Sequence, residues 1–350
     1  MIQDKDLILL REDLIKLSRR IGRGISEDVF GRLSIIERKK QVFNQRTEGN
    51  TSKLDAIADT IIVYEAQKIA RKHGIPISIL SGGDKIKEEV NVSVSGSLQD
   101  RVVFSCDGVD GTTNAMTDGM PWASALFGYT DPTSKPLEGL KFGDFVTGAV
   151  YVVSGTSFGT VKTGNLFFAY DGCDSAILND VNGGLYPLLT TEETQAKNWT
   201  FGIDTMAARA TYLPGPERDT KGSARRQKFW QALTGLIGTA VNDEVRLFGA
   251  GLEQMAILSP ATDKIDTTLS FYSGNPRLAG CLAAYQFKDN IIGPKTILKK
   301  AGAKVVVFAG PQKGMDIDEV PLQPHTHYLA AGNDEVKNFV LDALKDYNPD

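Results

Sequence analysis

The chain has 350 residues, long enough for two medium domains or one large layered domain, so its core needs no disulfides or structural metals. Its 39 basic and 43 acidic residues are spread along the chain and give a formal net charge of -4, which excludes the basic surface that a nucleic-acid partner requires. Three widely spaced cysteines without a C-x-x-C pair, no signal-peptide pattern and no membrane-length apolar run predict a cytoplasmic protein with free thiols and no membrane partner.

The first half of the chain predicts two helices followed by an antiparallel sheet. Apolar residues at helical spacing from Leu7 to Ile21 indicate the first helix, and the polar run from Arg23 to Glu48 separates it from a second helix over Lys53 to His73. Short β-branched runs with glycine-containing turns then indicate strands. The predicted strands are Ile75 to Leu80, Val102 to Ser105, Trp122 to Tyr129, Thr147 to Val153 and Asn165 to Ala169.

The second half alternates strands with helices, which predicts an α/β domain. The predicted strands are Thr200 to Ile203, Val245 to Phe248, Lys304 to Phe308 and Tyr328 to Ala331. The predicted helices are Arg225 to Leu236, one opening at Gly249, Arg277 to Phe287, Pro294 to Ala301 and Asp334 to Asp346. Weak periodicity between about Asn179 and Asn198 indicates a domain boundary, which divides the chain into residues 1–190 and residues 191–350.

The segment best suited to chemistry is the glycine-rich turn D-G-V-D-G-T-T-N, from Asp107 to Asn114. Asp107 and Asp110 are three residues apart in this turn, so their carboxylates can point at one locus, and such hard oxygen ligands suit Mg²⁺. D-G-x-D-G alone is also an ordinary turn sequence. The apolar strand before it, the T-T-N after it and the long helix upstream favour a functional site.

The residues after Asp110 are suited to phosphate. Gly111, Thr112 and Thr113 would present backbone N–H groups next to the metal, an arrangement that binds phosphate. The Thr112 hydroxyl is a candidate for orienting the water that attacks phosphorus. The pattern therefore predicts a phosphate-handling centre with two carboxylates.

This segment resembles the D-P-[IL]-D-G-[TS]-[TS]-N signature of the inositol monophosphatase and fructose-1,6-bisphosphatase superfamily, with Gly108 where the family usually has proline. Gly119-Met120-Pro121-Trp122 and Arg246-Leu247-Phe248-Gly249-Ala250-Gly251 resemble further family segments in the same order. The resemblance covers roughly Leu14 to Asp346. It implies a layered α-β-α-β-α fold, Mg²⁺ as cofactor, a homodimer, and a small phosphorylated sugar, polyol or nucleotide as substrate.

The resemblance also implies roles for single residues. Asp107 and Asp110 would bind metal, with the Val109 carbonyl as a further candidate ligand. Asp59, at the family's acidic position on the helix before the sheet, would support the hydroxyl of Thr112 that activates water.

Two acidic positions of the family are missing from their expected places. Leu80-Ser81-Gly82-Gly83-Asp84 stands where the family has G-E-E or S-E-E, which makes Asp84, Glu88 and Glu89 candidate substitutes. The family's W-D-x-A-A-G motif matches Asn275-Pro276-Arg277-Leu278-Ala279-Gly280, with proline at or beside the aspartate. Asn275 would keep an oxygen ligand after a one-residue slip, and Arg277 would bring a cation to meet the phosphate directly.

The leading prediction is a Mg²⁺-dependent phosphomonoesterase. Losing anionic ligands weakens binding of a hard cation, so two alternatives stay open. One is a protein that binds a phosphorylated metabolite without turnover. The other is a biosynthetic enzyme that uses the same pocket for different chemistry.

Overall fold

The computed structural model describes residues 4–32, 53–80, 86–90, 100–109, 122–154, 163–179, 183–204, 227–229, 231–233, 245–248, 255, 257–260 and 278–348. The helices in these ranges are α1 (Asp4–Arg32), α2 (Lys53–His73), α3 (Lys288–Lys300) and α4 (Asp334–Ala343). None of the described helices is both long enough and apolar enough to cross a membrane.

The described strands are eight up to Leu189, the first group, and six after it, the second group. The first group is β1 (Ile77–Leu80), β2 (Ile86–Val90), β3 (Val102–Asp107), β4 (Trp122–Thr130), β5 (Phe145–Ser154), β6 (Thr163–Tyr170), β7 (Cys173–Asn179) and β8 (Leu185–Leu189). The second is β9 (Thr200–Asp204), β10 (Val245–Phe248), β11 (Ser259–Pro260), β12 (Leu278–Phe287), β13 (Lys304–Val307) and β14 (His325–Ala331).

These strands form two sheets. The first has nine described strands in the order β11-β8-β7-β6-β5-β4-β3-β1-β2, antiparallel except for β1 and β3, which run parallel with Leu80 beside Ser105. The second has five described strands in the order β10-β9-β12-β14-β13 and mixes parallel with antiparallel pairs. The parallel pair matters for the site because the carboxyl ends of β1 and β3 meet at one edge.

The helices and sheets stack in five layers. α1 and α2 cover the outer face of the first sheet, and α3 lies between the two sheets. On the far face of the second sheet, α4 packs with the helical residues 227–229 and 231–233. The predicted α-β-α-β-α architecture is therefore confirmed.

Residues of β3 alternate between two apolar cores. Val102, Phe104 and Cys106 belong to the core under α1 and α2, whereas Val103 belongs to the core around α3. Because side chains of a strand alternate between its two faces, Ser105 and Asp107 share the α3 face with Val103.

Glycines allow α3 to lie unusually close to the first sheet. A Cβ atom on Gly293 of α3 would overlap the Phe127 backbone of β4, and one on Gly128 would overlap the Ile292 side chain. A Cβ on Gly148 of β5 would likewise overlap the Gly293 carbonyl. Helix and sheet therefore meet backbone to backbone, an approach that only residues without side chains permit.

Ion pairs hold α3 to the segment that follows β13. Lys295 is 3% exposed, and its Nζ lies 2.7 Å from Asp318 Oδ1. Lys299 pairs with Asp316 and Asp318. Burial alone would raise the pKa of Asp318, but the two lysines outweigh it and lower that pKa. Burial lowers the pKa of Lys295 although Asp318 opposes the shift.

Most predicted elements are confirmed, with several corrections. α2 has the predicted bounds, the five strands predicted in the first half are present, and the three cysteines are free thiols. α1 continues to Arg32, through part of the run predicted to be a connection. α3 begins at Lys288, ahead of the predicted Pro294, and α4 ends at Ala343. The helix predicted to open at Gly249 lies outside the described residues.

The helix predicted over Arg277 to Phe287 is wrong, because Leu278–Phe287 forms β12. Its alanine-rich sequence has good helix propensity. However, β12 pairs with β9 on one side and β14 on the other, and its side chains enter two different cores. A strand buried on both faces shows no polar alternation, so tertiary pairing overrides the local preference.

We expect Gly293→Ala to destabilise the protein by about 1–3 kcal/mol, because the added methyl must displace the β4 backbone. The matched control is Gly24→Ala in α1, where a Cβ would lie an ordinary 3.5 Å from Ile61, and which should stabilise by up to about 1 kcal/mol. Urea unfolding followed by circular dichroism measures both changes. A Gly293→Ala protein as stable as the wild type would contradict the close contact.

We expect Asp318→Asn to cost about 1–3 kcal/mol at neutral pH, below the value for a fully buried pair because Asp318 is 35% exposed. The folded-state pKa of Asp318 is lowered, so its stabilisation is present above the unfolded pKa of about 3.9 and is lost as pH falls further. Unfolding free energies of wild type and variant should therefore converge in acid. Asp342→Asn, at a side chain that is 82% exposed, is the control and should change little.

Candidate functional site

Asp107 ends β3 and begins the turn that carries the signature. Its side chain is partly buried, and its Oδ1 accepts a hydrogen bond from the Val109 backbone N–H at 3.2 Å. Such a side-chain to backbone bond two residues on is characteristic of aspartate at a turn. The bond fixes the direction in which the chain leaves the strand.

The turn rests on α2. A Cβ on Gly108 would lie 2.7 Å from the Cβ of Ala58, and Val109 is buried in the core beneath α1 and α2. Gly108 therefore replaces the family's proline at a position where α2 leaves no room for a side chain. Asp59, the neighbour of Ala58 on α2, is a half-buried carboxylate.

A second carboxylate reaches β3 from α3. Asp289 lies in the first turn of α3 and is 5% exposed, and its Oδ1 accepts a 3.0 Å hydrogen bond from Ser105 Oγ. Ser105 precedes Asp107 by two residues on the same face of β3, which separates their Cα atoms by roughly 7 Å. Asp289 and Asp107 thus approach the same end of β3 on the side that faces α3.

Asp289 was missed by the sequence comparison, and the structure explains why. The W-D-x-A-A-G motif opens a helix with an aspartate and has glycine four residues later. β12 occupies Leu278–Phe287, where the matched motif would place a helix. The helix opens at Lys288-Asp289, and Gly293 follows the aspartate at the motif's spacing. A helix must precede the strand predicted at Lys304, and a start for that helix one helix length upstream would have pointed to Asp289.

The backbone register of β2 separates Glu88 and Glu89 from this edge. Glu88 lies opposite Ile79, which is level with Phe104, and Glu89 lies opposite Ser78. Both backbone positions are therefore at least three residues short of Asp107, roughly 10 Å along the strand direction. The register does not bring the two predicted substitutes to the end of β3.

Several predicted site residues lie outside the described part of the chain. They are Asp84, Asp110, Gly111, Thr112, Thr113, Asn275 and Arg277. Within the described ranges, no group of three or more histidine, cysteine, aspartate or glutamate side chains could hold a metal ion. Asp107 and Asp289 are described carboxylates near the end of β3, and their oxygen atoms are the kind of ligand that a hard cation such as Mg²⁺ prefers.

Comparison with known proteins identifies the fold. No family model matches the sequence, and no curated protein matches it. Among solved structures, Leishmania major fructose-1,6-bisphosphatase in its holo form is 15% identical, with a TM-score of 0.57 over 99% of this chain and 96% of that one. Mycobacterium tuberculosis SuhB is 16% identical, with a TM-score of 0.55 over 96% and 97%.

The inositol monophosphatase from Anabaena is 13% identical, with a TM-score of 0.55 over 97% of both chains. Matches that cover almost all of each chain show that the similarity extends to the whole fold. At these identities the likeness is one of fold, and it confirms the fold that the signature segment predicted.

We expect Gly108→Ala to destabilise the protein by about 1–3 kcal/mol, because its methyl would meet Ala58 on α2. Ala58→Gly should cost about 1 kcal/mol through helix propensity and packing. The double variant should lose less than the sum of the two, since the glycine on α2 makes room for the methyl on the turn. Urea unfolding of all four proteins measures this coupling, and strictly additive losses would contradict the contact.

Proposed function

We propose that this chain, which has the fold of the inositol monophosphatase and fructose-1,6-bisphosphatase structures, is a Mg²⁺-dependent phosphomonoesterase. Its substrate in this proposal is a small phosphorylated sugar, polyol or nucleotide. The observation that carries the proposal is the approach of Asp289, from α3, to the end of β3 where Asp107 begins the signature turn. Two carboxylates from distant parts of the chain are thereby available at one place.

The ligand set is then more complete than the sequence indicated. Asp107 and Asp289 would hold the cation, joined by Asp110 and the Val109 carbonyl. Asp289 sits in the first turn of a helix, where the helix dipole favours a negative side chain. Neutralisation of phosphate charge and activation of water are the chemistry that Mg²⁺ supplies when bound.

The remaining roles belong to the signature turn and to α2. Gly111, Thr112 and Thr113 would hold the phosphate through backbone N–H groups, and the Thr112 hydroxyl would orient the attacking water. Asp59 would support that hydroxyl from α2, where Ala58 contacts the turn. In this proposal residues 1–190 supply the turn, residues 191–350 supply Asp289, and the protein is a cytoplasmic homodimer.

A second candidate is a protein that binds a phosphorylated metabolite without turnover. The observation that favours it is the β2 register, which leaves Glu88 and Glu89 away from the end of β3. Fewer anionic ligands would still allow a phosphate and a cation to bind together. Ligand-induced stabilisation without phosphate release would identify this candidate.

The test is a panel of inositol, sugar and nucleoside phosphates, assayed for phosphate release with Mg²⁺ and with a chelator. We expect release that requires Mg²⁺. We expect kcat/KM to fall about 100- to 1,000-fold in Asp107→Asn and in Asp289→Asn, because each removes charge stabilisation from the transition state. Asp342→Asn, exposed on α4, is the control and should keep full activity.

Circular dichroism shows whether each variant is folded. Phosphate release that continues in the chelator, or that is unchanged in both aspartate variants, would contradict the proposal. Thermal stabilisation by an ester together with Mg²⁺, without release from any member of the panel, would support the second candidate instead.

A further inference from the structure

The hydrogen bond between Ser105 and Asp289 joins two buried side chains. Ser105 is 1% exposed and Asp289 is 5% exposed, and the bond joins residues 184 positions apart in sequence. A buried carboxylate is costly unless it is hydrogen-bonded or paired. A hydroxyl that donates to an ionised carboxylate makes one of the stronger protein hydrogen bonds.

The donor is held rigidly. β3 lies inside the first sheet, hydrogen-bonded to β1 on one side and β4 on the other, so the Ser105 backbone has no freedom to shift. Serine has a single side-chain torsion that positions its oxygen. The bond therefore selects one orientation of the Asp289 carboxylate relative to β3.

The bond to Ser105 does not by itself prevent the carboxylate from binding a cation. An ionised carboxylate offers about four lone-pair sites, and the Ser105 hydroxyl uses one of them on Oδ1. Side chains that orient a metal ligand in this way raise metal affinity without touching the metal. Asp107 is two residues from Ser105 on the same face of β3, at the end of the strand that Asp289 approaches.

Anchoring of α3 does not depend on this bond. The helix is held at its middle by the Gly293 contact and near its end by Lys295 and Lys299. An apolar side chain at position 105 would fit the core that Val103 already enters. A hydroxyl at this position is therefore better explained by what it does to Asp289 than by the packing of the helix.

We infer that Ser105 is a positioning residue, which holds the Asp289 carboxylate in the orientation that binds a divalent cation together with Asp107. This inference rests on the cation site of the proposed function and does not require turnover. It can therefore be tested on the full chain without any substrate, with Mn²⁺ as the probe.

The experiment titrates the full chain with Mn²⁺ and follows free Mn²⁺ by electron paramagnetic resonance. We expect Ser105→Ala to weaken Mn²⁺ binding about 10- to 100-fold, and Ser105→Thr, which keeps the hydroxyl, to restore it. The matched control is Ser78→Ala, a buried serine of β1 that faces the same core beside Val103, and it should bind Mn²⁺ as the wild type does.

A double-mutant cycle separates positioning from general structure. Asp289→Ala should weaken binding strongly, and adding Ser105→Ala to it should cause no further loss, because the hydroxyl then has no carboxylate to orient. A purely structural role predicts the same loss in both backgrounds. Equal Mn²⁺ affinity of Ser105→Ala and wild type, or an undiminished loss in the Asp289→Ala background, would overturn the inference.

The outcomes also distinguish this inference from the proposed function. If Asp107→Asn and Asp289→Ala both bind Mn²⁺ normally, the cation site itself is wrong and both proposals fail. If these variants lose Mn²⁺ while Ser105→Ala does not, the site stands and only the role of Ser105 falls. If Ser105→Ala loses Mn²⁺ but no ester is hydrolysed, the positioning role stands without the phosphatase activity.

Discussion

The arrangement of this protein depends on the backbone contact between α3 and the first sheet. Gly293 on the helix faces β4, and Gly128 and Gly148 on the strands leave space for the helix. Side chains at these positions would move α3 outward. Because α3 is nearly all buried, such a shift would disturb both sheets, and it would withdraw Asp289 from Ser105. Close packing at Gly293 thus fixes where Asp289, in the first turn of the same helix, lies relative to Ser105.

Three of the polar side chains buried along α3 have partners that explain their positions. Lys295 pairs with Asp318, and the Thr296 hydroxyl donates to the Phe145 carbonyl at 3.1 Å. Asp289 receives the Ser105 hydroxyl. Satisfied polar groups in a low-dielectric interior fix one arrangement, because any slip would leave charges without partners. The apolar side chains of α3 therefore fill the core, and its polar contacts fix its position relative to the two sheets.

The site assembles elements that are distant in sequence. The signature turn packs against α2 where Gly108 meets Ala58. A side chain at position 108 would overlap Ala58, so glycine fits there and proline does not. β3 delivers Asp107 to this turn, and α3 delivers Asp289 to the same end of the strand. The departures from the family motif thus differ in kind. Gly108 is a steric adjustment, whereas an aspartate with the motif's spacing to glycine, Asp289 before Gly293, occurs later in the chain.

Local patterns in the sequence determined α2, most strands of the first sheet and the turn that begins at Asp107, because helix caps, β-branched runs and turn residues act over a few positions. Only the tertiary structure decided that Leu278–Phe287 is a strand, since burial on both faces removes the alternation that identifies one. It also decided which carboxylate approaches the end of β3. That Asp289 does so, and that the backbone of Glu88 and Glu89 does not, depends on strand register and helix position, which are set by contacts between residues far apart in the chain.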